Sequence, residues 1–428
     1  MKEIPKVGIY KTKTSTVINI LFILMLGFRF IPLIIKVFDT HHIPGITFNL
    51  VRMQFVFLLL HGFILFYYPQ LFIKKTMLLI YFYYLLFFFF RVSGYYDTSS
   101  QWFGAYHFSI YIAVLTYTYY FERRDYKGLG LVALSSVIFI LLKGLLNIVQ
   151  LIRYPGAVRG VSGGLAAQGY QDLQEYYRTI GVAGYEFATS VIILFPVMLW
   201  LYKYASISTK MKKYSLFWLI VIAISVFMSA YTAPIIIGVI SLVLAYQGRK
   251  NLKHSITIIL IIILPLIFLF YSYLPNIFYG TSKLITNKAI ASRLNDVGLA
   301  LEYGVDVNSP RTIVDYRAQR IPINFNQFLE NPIFGKGKEG NAHLFWLNYL
   351  AQFGIVGTFV LILILIEQVK INLRNISNNF KFYYLLAVMT FIIMGLVKAY
   401  PKTYIFEITL FVVPSIYYIP YLNKKKQL

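Results

Sequence analysis

Long apolar runs separated by clusters of lysine and arginine restrict the fold of this chain more than any other feature. A bilayer crossing needs about 20 mostly apolar residues, and only a helix or a closed barrel satisfies every backbone amide inside hydrocarbon. Runs of this kind fall at 17–38, 46–68, 77–91, 103–121, 129–152, 181–201, 214–230, 234–246, 256–274, 344–366, 382–397 and 403–418. Of the 428 residues, 58% are hydrophobic and 13% charged, against about 25% charged in ordinary soluble domains. The expected architecture is therefore all-α, a polytopic membrane protein of about 12 transmembrane helices forming one integral domain over 1–428. The lysine-rich start is read as leading into the first span, because Phe28-Arg29-Phe30-Ile31-Pro32 does not look like a small-residue cleavage site. No internal repeat argues for an inverted-repeat transporter.

Forty Lys and Arg against sixteen Asp and Glu leave a formal charge of +24. In a soluble protein that excess would suggest nucleic acid. Here it follows the bias that keeps basic loops cytoplasmic, and no nucleic-acid partner is expected. The basic residues alternate along the chain as this rule requires. One side takes Lys2, Lys6, Lys11 and Lys13, then Lys74 and Lys75, then Arg123, Arg124 and Lys127, then Lys203, Lys210, Lys212 and Lys213. It continues with Arg249, Lys250 and Lys253, then Lys370, Arg374 and Lys381, and ends with Lys424 to Lys426. Both termini are thus expected in the cytoplasm, and the long connections 153–180 and 275–343 on the extracytoplasmic face. The second connection carries a helical pattern over 288–303. In it, Ser309-Pro310 is a good start for a helix reaching about Gln319, and Pro322 starts a shorter one that Asn331-Pro332 closes.

Charges inside spans are rare and are read as functional first. On this topology Arg29, Arg52, Lys143, Glu186 and Glu407 fall at one depth in the outer half of their helices, with Lys398 and Lys402 at its border. That pattern suits a basic, outward-opening cavity for an anionic headgroup. The competing reading is snorkelling side chains and structural ion pairs. The outer connections add Arg153, Arg159, Arg178, Arg293, Arg311, Arg317, Arg320, Lys336 and Lys338. Arginine forks match phosphate oxygens, although anionic lipid or an i,i+4 pair of Arg311 with Asp315 would also use them. The chain has no cysteine and only six histidines, none spaced as a helical metal site. Neither a metal nor another cofactor is expected. The 37 Phe and 37 Tyr are read as lipid-facing and interfacial packing, and not as a sugar-binding platform.

One stretch adds a resemblance. Glu330-Asn331-Pro332-Ile333-Phe334-Gly335-Lys336-Gly337, followed by His343, Trp346-Leu347 and Leu350-Ala351-Gln352-Phe353-Gly354-Ile355-Val356-Gly357, resembles the O-antigen polymerase and O-antigen ligase superfamily. Arg311 and Arg178 stand where that family has loop arginines, and Leu344 stands where it commonly has Asn. The connection between two central spans reads Ser229-Ala230-Tyr231-Thr232. The resemblance implies a C-type glycosyltransferase fold in a bacterial inner membrane. It further implies transfer from a polyprenyl-diphosphate-linked oligosaccharide at the extracytoplasmic face, alongside a flippase and a chain-length regulator of the same surface-polysaccharide pathway (O-antigen lipopolysaccharide, capsule or exopolysaccharide). His343 would be the base and Arg311 the group stabilising the departing phosphate. Arg178, Arg317, Arg320, Arg52, Lys143, Glu186 and Lys398 would bind substrate. Polymerisation of repeat units is the leading expectation. A ligase acting on lipid A core, a transporter or flippase of an anionic glycolipid, and a non-catalytic scaffold are its rivals.

Overall fold

The computed structural model describes residues 13–30, 48–94, 105–158, 161, 171–205, 207–258, 273–284, 288–306, 312–337, 344–398 and 404–422. The chain runs through α1 (Lys13–Phe30), α2 (Phe48–Tyr67), α3 (Lys75–Val92), α4 (Ala105–Glu122) and α5 (Tyr126–Arg153). It continues with α6 (Gln171–Thr179), α7 (Tyr185–Lys203), α8 (Thr209–Met228) and α9 (Thr232–Ile258). The second long connection folds into α10 (Leu274–Leu284), α11 (Lys288–Tyr303), α12 (Ile313–Ala318) and α13 (Arg320–Glu330). The chain closes with α14 (Phe345–Asn375), α15 (Asn378–Val397) and α16 (Ile405–Leu422).

Side chains at the helix starts show why several begin where they do. Asp125 accepts from the Gly128 amide at 2.8 Å and opens α5, and Ser208 accepts from Met211 to open α8. A reciprocal pair opens α12: the Asp315 amide donates to Thr312 Oγ1, and the Thr312 amide donates back to the Asp315 carboxylate at 2.8 Å. The other oxygen of Asp315 accepts from the Asp306 amide at 3.0 Å. The cap is thus Thr312, while Ser309-Pro310 lies outside the described residues.

α4, buried from Ser109 to Tyr120, lies with α7 and α16 at the centre of the bundle, and α5 packs against them. α16 lies so close to α5 that a Cβ on Gly130 would sit 2.6 Å from the Tyr418 carbonyl oxygen. Most of α7 is buried, from Phe187 through Leu201, whereas α3, α8 and α15 carry many exposed Phe, Leu and Ile side chains. Apolar faces turned outward in this way are those of helices bathed in lipid.

The expected number of crossings needs correction. Among the described residues, seven helices are long and apolar enough to cross a membrane: α3, α5, α7, α8, α14, α15 and α16. Three other helices, α1, α2 and α9, contain the shorter apolar stretches Thr16–Gly27, Val56–Tyr67 and Thr232–Gly248 among the described residues. The last lies in α9, which is kinked at Gly248 (φ 71°, ψ 176°). Most of the run 256–274 lies outside the described residues. About twelve helices and a C-type glycosyltransferase fold are therefore not what this chain shows; it is all-α with about seven candidate transmembrane helices. The expected placement of both termini in the cytoplasm and of the two long connections outside rested on twelve crossings, a count that the described residues do not give.

Candidate functional site

α14 is not one continuous helix. At Gly354 the chain adopts φ 62° and ψ −169°, a region essentially restricted to glycine. A break leaves carbonyls unpaired on one side and amides unpaired on the other. Here the turn Asn331 to Gly337 supplies the partners. The Lys336 and Gly337 amides donate to the Ala351 and Gln352 carbonyls at 2.9 and 3.0 Å. In return, the Ile355 and Val356 amides donate to the Pro332 and Ile333 carbonyls at 2.9 and 3.1 Å. The two segments touch backbone to backbone, because a Cβ on Gly335 would lie 2.4 Å from the Gly354 nitrogen, and one on Gly354 would lie 2.4 Å from the Ile333 oxygen. The Gly-x-Gly turn and the Gly-Ile-Val-Gly of the following helix therefore form a single interlocked unit.

This unit sits at one end of the bundle. Phe334 packs on Phe90 near the end of α3, with ring centroids 4.8 Å apart. The Phe345 amide donates to the Lys398 carbonyl at 3.0 Å, joining the start of α14 to the end of α15. Leu344 is left-handed, at φ 71° and ψ 81°. A left-handed conformation is easier for Asn or Gly than for Leu.

Near the start of α14, where Phe345 meets Lys398 and Phe406, lie charges of the apolar helices. Lys143 of α5 reaches the Tyr404 hydroxyl at 3.3 Å and lies over the rings of Tyr404 and Phe187 at 5.3 and 5.6 Å. The Glu186 carboxylate acts on Lys143 by charge attraction. The ammonium of Lys398 sits over the Tyr185 ring at 5.0 Å. Tyr185 meets Tyr231 edge-on at 5.1 Å, so the Ser229-Ala230-Tyr231-Thr232 turn contributes an aromatic wall. Glu407 is fully buried next along α16 from this group. Asn147, one turn beyond Lys143, anchors the surroundings: its amide donates to Ser225 Oγ at 2.9 Å and Ser229 Oγ at 3.0 Å, and its oxygen accepts from the Ala183 amide at 2.7 Å. These bonds hold the end of α8 and the turn before Glu186 to α5.

The expected site residues divide accordingly. Lys143 and Glu186 come together, and Lys398 joins them through Tyr185. Arg178 is exposed near the end of α6, whose Gln174 is anchored to the Val161 carbonyl at 3.2 Å. On the same short helix, Tyr176 is pushed up from the ordinary phenol range by its hydrogen bond with Tyr154. Arg320 is half-buried at the start of α13. Lys336 pairs with Glu330 at 2.7 Å, so part of its charge serves the turn itself. His343 and Arg311 lie outside the described residues, as do the side chains of Arg52 and Arg317. Tyr185, Tyr404 and Asn147 were not singled out from the sequence; only Asn147, an amide within an apolar run, carries a signal there. Among the described residues no cluster of His, Asp and Glu is arranged to hold a metal ion.

These features define an all-α, multi-pass membrane protein with a polar, aromatic-lined cluster at one end of its bundle. Neither a protein-family model, nor a curated protein, nor a solved structure matches the chain.

Proposed function

We propose that this protein is a membrane glycosyltransferase that polymerises polyprenyl-diphosphate-linked oligosaccharide repeat units, in the manner of the O-antigen polymerase and ligase superfamily, in a bacterial inner membrane. The observation that carries the reading is the interlock of Asn331–Gly337 with Gly354. The two halves of the resemblance are separate in sequence and share four reciprocal backbone hydrogen bonds. The connection from that turn to α14 contains His343, and its neighbour Leu344 enters α14 beside the Lys398 carbonyl.

In the proposed reaction an acceptor sugar hydroxyl attacks the anomeric carbon of the donor. The new glycosidic bond forms as the bond from that carbon to the diphosphate oxygen breaks. His343 takes the hydroxyl proton, and the lipid diphosphate departs with the bonding electron pair. Arg311, Arg178, Arg317 and Arg320 offset its growing charge, while Lys143, Glu186, Lys398 and Arg52 hold the sugar and phosphate groups nearest the bundle.

The test is to incubate purified protein with lipid-linked repeat units and size the glycan. Elongated products are expected, and they should disappear in His343→Ala and Arg311→Ala while both variants insert and melt as the parent does. Substrate that is bound or moved intact, without a new glycosidic bond, refutes the enzyme. That outcome would favour a transporter of an anionic glycolipid, a second reading supported by the break in α14, since interrupted helices carry the binding sites of many secondary transporters. Transfer of finished glycan to a lipid A core acceptor without elongation would instead identify a ligase.

A further inference from the structure

The polarity of α13 is inverted relative to a helix of a soluble protein. Its buried side is polar: Asn324 is 0% exposed and Arg320 is half-buried on the same face. Its exposed side is apolar, with Ile321, Phe325 and Leu329 at 51%, 47% and 56% exposure. At about 100° per residue these three, with Phe328, occupy one arc of about 100°. Arg320, Asn324 and Gln327 fall on a second arc against the protein, and Asn326 and Glu330 on a third that is neither. Three sectors of this kind suit a helix that meets protein, water and hydrocarbon at once.

The neighbourhood identifies what covers the apolar sector. α13 packs on α14, a candidate spanning helix, and its following turn is bonded into the break of that helix. In that turn Ile333 is also exposed, and the Phe334 ring packs at a tilt against Phe90 of α3. On α3, Leu85, Phe89 and Val92 are exposed at 64%, 66% and 70%, which is the outward apolar surface of another candidate span. The stripe of α13 therefore continues the outward apolar surface of a candidate span.

We propose that α13 lies in the bilayer interface, with Ile321, Phe325 and Leu329 among the acyl chains of membrane lipids and Arg320 and Asn324 turned towards the protein. Asn326 faces water. The helix forms a lipid-contacting rim at this end of the bundle, and Arg320 is held at the depth of lipid phosphates. The inference does not depend on glycosyl transfer and stands or falls separately from it.

The chain has no cysteine, so single labels can be placed without background. Phe325→Cys, Leu329→Cys and Asn326→Cys are labelled with an environment-sensitive fluorophore and reconstituted in phosphatidylcholine and phosphatidylglycerol vesicles. Labels at 325 and 329 should be quenched several-fold more by acyl-brominated lipid than the label at 326, and the label at 326 several-fold more by iodide. Equal iodide quenching at all three positions overturns the proposal, as does protection of 325 and 329 from both quenchers, which would indicate a protein partner. Ile321→Cys gives the same reading if either stripe variant fails to fold.

Discussion

Replacing Gly354 by alanine tests whether the interlock holds α14 and its turn together. The backbone there, φ 62° and ψ −169°, costs a non-glycine residue about 1–3 kcal/mol. The added methyl would also lie 2.4 Å from the Ile333 oxygen and 2.5 Å from the Gly335 nitrogen. Both are backbone atoms and cannot swing aside as a side-chain tip would, so the turn has to move. Even if only two of the four reciprocal bonds are lost, at about 1 kcal/mol each, the total reaches about 3–5 kcal/mol. That is a large fraction of a typical stability of about 5–15 kcal/mol. At about 2 °C per kcal/mol for a large chain, the Tm should fall by about 6–10 °C, read as detergent-solubilised monomer surviving heating. Gly62→Ala is the control, because a Cβ there meets nothing within 4 Å, and its Tm should hold or rise slightly. A Gly354→Ala protein that melts within about 2 °C of the parent would refute the interlock.

Leu344→Gly should raise stability by about 1 kcal/mol, seen as a higher Tm, since it relieves a left-handed leucine; a lower Tm would show that the leucine side chain matters more than its backbone. Asn147→Leu should cost about 2–4 kcal/mol, because Ser225, Ser229 and the Ala183 amide lose a shared buried partner, and an unchanged melting curve would contradict that network. Lys143→Met combined with Glu186→Gln, so that neither charge is left alone, should leave Tm nearly unchanged while reducing glycan elongation at least about tenfold; retained elongation would make the pair purely structural. Tyr279 donates to Glu302 at 2.6 Å, and this bond is the main cause pushing its phenol up to about 12. Because the folded value is raised, the bond is intact below the ordinary value of 10.0 and is lost as pH climbs through about 12. Spin labels on α10 and α11 should therefore keep their spacing to about pH 10 and separate near 12, with no such step in Tyr279→Phe.

Much of the secondary structure was readable because hydropathy and helix signals are local. The second long connection shows this well: the helix expected at 288–303 is present as Lys288–Tyr303, and the short helix containing Pro322 ends at Glu330 with Asn331 as its cap. The number of crossings was not readable, because an apolar window reports hydropathy alone, whereas a crossing also needs a single helix of sufficient length. The charge cluster was readable in part. Lys143 and Glu186 could be set at one depth by counting, but Tyr185 and Tyr404, which receive Lys398 and Lys143, look like any of the 37 tyrosines until the helices are packed.

By itself the sequence determined that this protein is helical and lives in a membrane, since 58% hydrophobic residues in span-length runs leave the backbone no other way to satisfy its amides. Only the tertiary structure decided that Gly335 and Gly354 are partners, and that α13 turns its apolar side outward. Both depend on which distant segment supplies a hydrogen bond or covers a face. Local sequence does not encode that choice; it is made when Asn331–Gly337 fills the gap in α14.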